Sequence, residues 1–195
     1  MIAAAALVAL AAAPAAAPAA LPAWWQAFLK LPALESSFAQ DSESAVFGSL
    51  HKLGKLSLAR GGRLRVAYEG GLLLVSDGRS LVQYDADART AQRFDLKAAQ
   101  AEAPLVSVLL DPAALAHEFE IQGRADGSVR LKPRKAGLPE VELQGRGAAP
   151  TLIRWIDPSG AGQALRLTLT RTPASIPAAT FQFQAPAGTR WVGGK

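Results

Sequence analysis

From residue 54 onward, apolar and polar residues alternate with a period of two over most of the chain. "GKLSLAR" sets Leu56 and Leu58 on one face and Lys55, Ser57 and Ala59 on the other. After Gly61-Gly62, "RLRVAYE" repeats the pattern with Leu64, Val66 and Tyr68 against Arg63, Arg65 and Ala67. Gly70-Gly71 and Asp77-Gly78 are turn signals, so the run predicts successive hairpins and an antiparallel sheet with one buried face. Ahead of it, "AWWQAFLKLPALESSF" (Ala23–Phe38) carries a helical pattern, with Trp24, Trp25, Phe28, Leu29 and Leu31 as its apolar side and Pro32 interrupting it. Residues 98–118 predict two short helices, one around Pro104–Leu110 and a second with Asp111 as N-cap and Pro112 at its first position. Leu105, Val106, Val108, Leu109 and Leu110 are more apolar surface than an exposed helix needs, so this segment must face something apolar. Strands resume at Phe119–Gly123, Ser128–Lys132, Glu140–Gln144 and Thr151–Asp157, and "ALRLTLTR" closes the set with Leu165, Leu167 and Leu169 on one side. The pattern predicts an α+β domain, with ten or eleven antiparallel strands and three covering helices in an open or partly closed barrel.

Composition narrows the class. At 195 residues, half of them apolar, the chain can bury one sizeable core. Its net charge of +5 is scattered rather than blocked, which suits a solvated surface or visits to anionic membranes. Without a groove-reading motif it gives no support to nucleic-acid binding. The absence of cysteine excludes a disulfide scaffold, a thiolate nucleophile and a lipid-modified N-terminal cysteine. The first twenty residues, "MIAAAALVALAAAPAAAPAA", have no charged side chain and form an apolar stretch, Ile2–Ala13, followed by small residues and an A-x-A-like site at Ala17-Pro18-Ala19. The expectation is a cleaved signal peptide over residues 1–19, and a single exported domain over 20–195. Pro14, Pro18 and Pro22 argue against a membrane-spanning helix there.

Candidate chemistry is sparse. His51 and His117 are the two histidines, and neither has metal-ligand spacing; His117 suits the C-terminal dipole of a short helix. Ser76-Asp77-Gly78 lacks the flanking glycine of a hydrolase elbow and reads as a turn. Asp85/Asp87 and Glu140/Glu142 fall in turns or on solvent faces. A small isomerase or hydrolase would need a polar group inside the barrel, and Tyr68, Tyr84 and His117 are the candidates. The expectation is a protein that is not an enzyme and uses no cofactor and no metal.

The order of local matches resembles a known family. "SSFAQ" (Ser36–Gln40) looks like its S-F-x-Q, and "GKLSLARGGRLRVAYE" is similar to its G-x-L-x-x-x-R-P-x-x-x-R-W-x-Y. "LLVSDGRSLVQYD" looks like its V-S-D-G-x-x-L-W-x-Y, "APLVSVLLDP" its central helix, and "FQFQAPAGTRWV" its closing F-x-F-x-x-P-x-G. Together, over residues 24–192, these resemble the periplasmic outer-membrane lipoprotein carrier (LolA) family. Gly61 stands where the family has proline, and Val66 where it has tryptophan.

The resemblance implies a half-open barrel of about eleven strands, with helices as a lid over an apolar cavity around which the Leu72–Leu96 meander curves. It implies a soluble, monomeric periplasmic chaperone that hides acyl chains of a lipoprotein between an inner-membrane donor complex and an outer-membrane acceptor. Arg60 matches the arginine that latches the lid, and with Gly61 after it would be aimed less rigidly. Candidate lining residues are Leu56, Leu58, Leu64, Val66, Tyr68, Leu165, Leu167 and Leu169, with lid residues Trp25, Phe28, Leu105 and Leu109. Sequence alone leaves these equally compatible with a filled core. Alternatives are a carrier of a glycolipid or aryl-polyene lipid, and an envelope sensor or regulator built on the same fold.

Overall fold

A computed structural model describes residues 19–193 except 45–47, 103–108, 110 and 114. The chain starts with α1 (Ala23–Phe28), then β1 (Ala33–Ser44), β2 (Gly48–Ala59), β3 (Arg63–Tyr68), β4 (Leu72–Asp77), β5 (Ser80–Asp85) and β6 (Thr90–Asp95). The helices α2 (Leu96–Glu102) and α3 (Leu115–Glu118) follow, then β7 (Phe119–Gly123), β8 (Val129–Pro133), β9 (Val141–Arg146), β10 (Ala149–Ile156) and β11 (Gly162–Arg171). A 3-10 turn, Ala178–Phe181, leads to the short β12 (Arg190–Trp191).

The strands form one sheet in the order β12-β6-β5-β4-β3-β2-β1-β11-β10-β9-β8-β7. Every pairing is antiparallel except β12 with β6. The sheet is a half-open barrel whose outermost strands are β12 and β7, as the period-2 pattern predicts. The strand beyond the expected eleven is the two-residue β12.

Two helical expectations are corrected. The N-terminal helix stops at Phe28, and Ala33–Phe38 is the start of β1. Leu34 and Phe38 lie four apart, a spacing that fits a helix and one face of a strand equally well. Their contacts decide: both are buried with the inner-face leucines of β2 and β3. Pro32, with no N–H to donate, separates the helix from the strand. In the middle, α2 begins at Leu96, directly after β6, where the Asp95 carboxylate accepts the Lys97 and Ala98 N–H groups as an N-cap. The second helix is described from Leu115 rather than from Pro112, which lies in a turn with Ala113. Most of the helix expected at Pro104–Leu110 lies outside the described residues.

One apolar cluster joins the inner face of the sheet to the helices, from Leu56, Leu64 and Leu81 to Val129, Leu143, Leu165 and Leu167. Trp25 and Phe28 plug its centre, fully buried. The α1 helix lies across β9 and β10 because Gly145 leaves room: a Cβ there would stand 2.2 Å from the Trp24 ring. The Trp24 Nε1–H donates to the Gly127 carbonyl at 3.0 Å, which satisfies the one polar atom of a buried indole. Gly54 makes a similar hole for Phe38, whose ring would meet a Cβ at 2.4 Å. The outer face is covered differently. The C-terminal segment folds back so that Phe181 and Ile176 bury Ala33 and Ala59, and Phe183 packs with Val82, Tyr84 and Ala91.

Candidate functional site

The β2–β3 turn carries Arg60 to the end of α1. The Arg60 Nε donates to the Leu31 carbonyl at 2.6 Å, and Nη2 donates to the Phe28 carbonyl at 2.7 Å. The Phe28 carbonyl ends α1, where the helix dipole favours a cation, and Leu31 lies just beyond the helix on the way to β1. The Arg60 backbone N–H donates to Pro32 O at 3.1 Å, so one residue ties down the whole helix-to-strand connection. Partial burial pushes the guanidinium below its ordinary value, and the negative charge of Asp111 opposes that shift. Arg60 therefore lies between the N-terminal helix and the central segment.

The glycine after Arg60 makes a different turn from the one proline would make. Gly61 and Gly62 have φ of 79° and 75°, which a proline ring cannot adopt at position 61. The turn is braced from outside. The buried Ser76 hydroxyl donates to Gly62 O at 2.7 Å, Arg63 Nε donates to Arg60 O at 3.1 Å, and Gly78 lies against the Gly61 carbonyl. That gives Ser76-Asp77-Gly78 a structural job: it joins the β4–β5 turn to the turn that aims Arg60.

Beneath Arg60 the side chains of α1, β1 and β2 meet closely. A gap lined by Phe28, Leu31, Leu34, Leu58, Arg60 and Leu109 holds only about 10 Å³. Leu56, Leu58, Leu64, Val66, Leu165 and Leu167 all point inward and are buried together, with Tyr68 half-buried beside them. Trp25, Phe28 and Leu109 join the same cluster from the helical side. Leu105 lies outside the described residues.

Leu169 is the exception. It is 83% exposed, with φ of 52°. Between Glu35 and Ser37 of β1 the register to β11 slips, so that two steps on β1 face three on β11. This bulge reverses the in–out alternation, sending Leu169 to solvent and Thr170 inward, where its Oγ1 lies 3.0 Å from Ser36 Oγ. The Ser36 hydroxyl also donates to Thr168 O at 2.8 Å, holding the bulge in place. Nothing in "LRLTLTR" marks the slip. The cue lies on β1, where Ser36 stands between the buried Leu34 and Phe38.

Sequence reasoning missed a polar string at the other end of the inner face. The Tyr68 hydroxyl donates to Gln40 Oε1 at 2.8 Å, Gln40 Nε2 donates to Gln163 Oε1 at 3.2 Å, and Gln163 Nε2 reaches Ser42 Oγ and Asp157 Oδ2 at 2.7 and 3.0 Å. Burial raises the Tyr68 phenol above its ordinary value. The interior is thus apolar beneath Arg60 and hydrogen-bonding near the β1–β2 hairpin. Tyr84 is no interior group, since it faces outward against Phe183, with ring centres 5.4 Å apart. His117 is exposed on α3. His51 lies on the outer face with its Nδ1 2.6 Å from Asp41, whose carboxyl is held low by that contact and by Arg166. Among the described residues, no three potential metal ligands come together.

Residues 30–184 match the family model described as outer membrane lipoprotein carrier protein LolA. The outer-membrane lipoprotein carrier protein of Bordetella pertussis is 30% identical over 156 residues, covering 76% of this chain and 70% of that one. Among solved structures, a LolA superfamily protein from Nitrosomonas europaea superposes with a TM-score of 0.54 at 12% identity, over 84% of this chain and 99% of that one. An uncharacterized conserved protein from Thermus thermophilus superposes with a TM-score of 0.51 at 11% identity, over 87% and 96%. These two likenesses share the half-open barrel.

Proposed function

The chain belongs to the outer membrane lipoprotein carrier (LolA) family, and on that premise we propose that it shelters the acyl chains of a lipoprotein or another lipid between the inner sheet face and the helices, while the cargo crosses the periplasm toward the outer membrane. The signal peptide over residues 1–19 takes it there, and it works as a monomer. It takes its cargo from an inner-membrane donor and passes it to an outer-membrane acceptor.

The supporting observation is the Arg60 fork on the carbonyls of Phe28 and Leu31. Exposing one sixteen-carbon chain to water costs on the order of 12 kcal/mol, so a carrier must enclose it and still release it. An apolar interior gives affinity without direction. A polar clasp on the covering helix lets the interior open and close, because breaking two hydrogen bonds costs far less than exposing the chain. Leu56, Leu58, Leu64, Val66, Tyr68, Leu165 and Leu167 would touch the cargo once α1 moves aside.

The bulge supplies a test. Delipidated protein would be titrated with a fluorescent fatty acid, comparing wild type with Leu167→Arg and Leu169→Arg, each checked for its fold by circular dichroism. Uptake by wild type and by the outward-facing Leu169→Arg, with none by Leu167→Arg, is expected. No uptake by folded wild type, or equal uptake by both variants, would refute the carrier reading.

A further inference from the structure

The β12 edge of the barrel holds a recess that the carriage of acyl chains does not explain. It measures about 500 Å³ and is lined by Arg79, Ser80, Arg93, Phe94, Asp95, Trp191 and Gly193. The Arg93 guanidinium lies over the Trp191 ring, 5.2 Å from its centre, and Phe183 meets the same ring edge-on at 5.9 Å. The indole is thus fixed from two sides yet remains 48% exposed. The two cationic residues that line the recess with it, Arg79 and Arg93, are both exposed. Among the described residues neither makes a salt bridge.

The nearby carboxylates are already engaged. Asp95 caps α2, and Asp77 accepts the backbone N–H groups of Arg79 and Ser80, with the charge of Arg79 acting on it through space. The recess therefore presents two guanidinium groups against the single carboxylate of Asp95, whose Oδ1 is taken up by the α2 N–H groups, and an amphipathic ring that is held but half in water. Arginine forks match phosphate oxygens, and tryptophan favours the headgroup level of a bilayer. The place in the fold agrees. β12 is the outermost strand at one end of the sheet, and Arg93 and Trp191 lie on its outer face beside Phe183, where a bilayer surface can reach them. A second copy of this chain fits poorly, because its net charge of +5 would repel.

We propose that this recess binds the phosphate headgroup of an anionic phospholipid and seats the β6–β12 edge on a bilayer surface, with Trp191 at the interface. This goes beyond acyl-chain carriage and stands on different residues. Docking here would keep the protein at the bilayer surface.

The test is co-sedimentation of the full chain with vesicles of phosphatidylcholine alone, and of equal parts phosphatidylcholine and phosphatidylglycerol. Binding to the mixed vesicles only is expected, and it should weaken with salt. A basic residue near an anionic surface is worth about fivefold in partitioning, so Arg79→Gln with Arg93→Gln should lose about 25-fold. Brominated phosphatidylglycerol should quench tryptophan emission in wild type and not in Trp191→Phe. Binding unchanged in the double variant would overturn the proposal, as would equal binding to neutral vesicles. Inorganic phosphate that perturbs Trp191 emission while no vesicle sediments the protein would also overturn it, and would assign the recess to a free anion. Fatty-acid uptake by the same variants, which is expected to persist, separates a failure here from a failure of the carrier reading.

Discussion

Replacing Arg60 with methionine isolates the clasp, because methionine keeps most of the aliphatic stem and removes only the donors. Two hydrogen bonds of 2.6 and 2.7 Å to carbonyls would be lost. Hydrogen bonds to charged groups are worth about 1.5–3 kcal/mol each. The guanidinium is only partly buried and regains water when released, so the low end applies and the pair sums to about 3 kcal/mol. If α1 opens separately from the sheet, amide exchange at Leu29, Lys30 and Leu31 should quicken by about 100-fold, at 1.4 kcal/mol per decade. If α1 opens only with global unfolding, Tm should instead fall by about 6–12 °C for a domain of this size. Arg60→Lys should lie between, keeping the charge but not the fork. Hydrogen exchange with mass spectrometric readout, beside a thermal melt, covers both cases. Exchange and Tm both unchanged in Arg60→Met would refute the clasp and leave Arg60 an ordinary surface arginine.

Other substitutions probe the frame around the clasp. Gly145→Ala drives a methyl into the Trp24 ring and should destabilise by about 1–3 kcal/mol in urea unfolding, with α1 shifted off β9 and β10. Leu167→Ala should cost about 2–5 kcal/mol, while Leu169→Ala should stay within about 0.5 kcal/mol; equal losses would contradict the bulge. Tyr68 should ionise above the ordinary phenol range in an ultraviolet phenolate titration, since burial raises its folded value. Because the unfolded chain gives up that proton first, stability should fall as pH rises past about 10, and Tyr68→Phe should flatten this part of the alkaline decline.

Much of the fold was legible because one signal dominates. Period-2 alternation in the second half of β2, in β3 and in β11 up to Leu167 places the inward-facing leucines correctly, and the Gly-Gly and Asp-Gly pairs mark turns. Ambiguity arose where two periods coincide. Leu34 and Phe38 satisfy both helix and strand, and only their packing partners from distant strands settle the choice. Leu169 failed for another reason: a bulge is a relation between two strands, and the residue that fixes it, Ser36, lies on the other one. Arg60 was readable only through family resemblance, since a lone arginine before two glycines has no local signature. The inward direction of Leu56, Leu64 and Leu165 was readable too, but what they enclose depends on how Trp25 and Phe28 from α1 fill the space between them.

Native mass spectrometry of the protein purified from the periplasm without detergent, followed by lipid extraction, tests acyl-chain carriage most directly. Wild type should carry an acylated species, or take one up when lipid is offered, and its occupancy should change in Arg60→Met. A clean mass without ligand in both proteins, with no uptake of offered lipid, would contradict the carrier function.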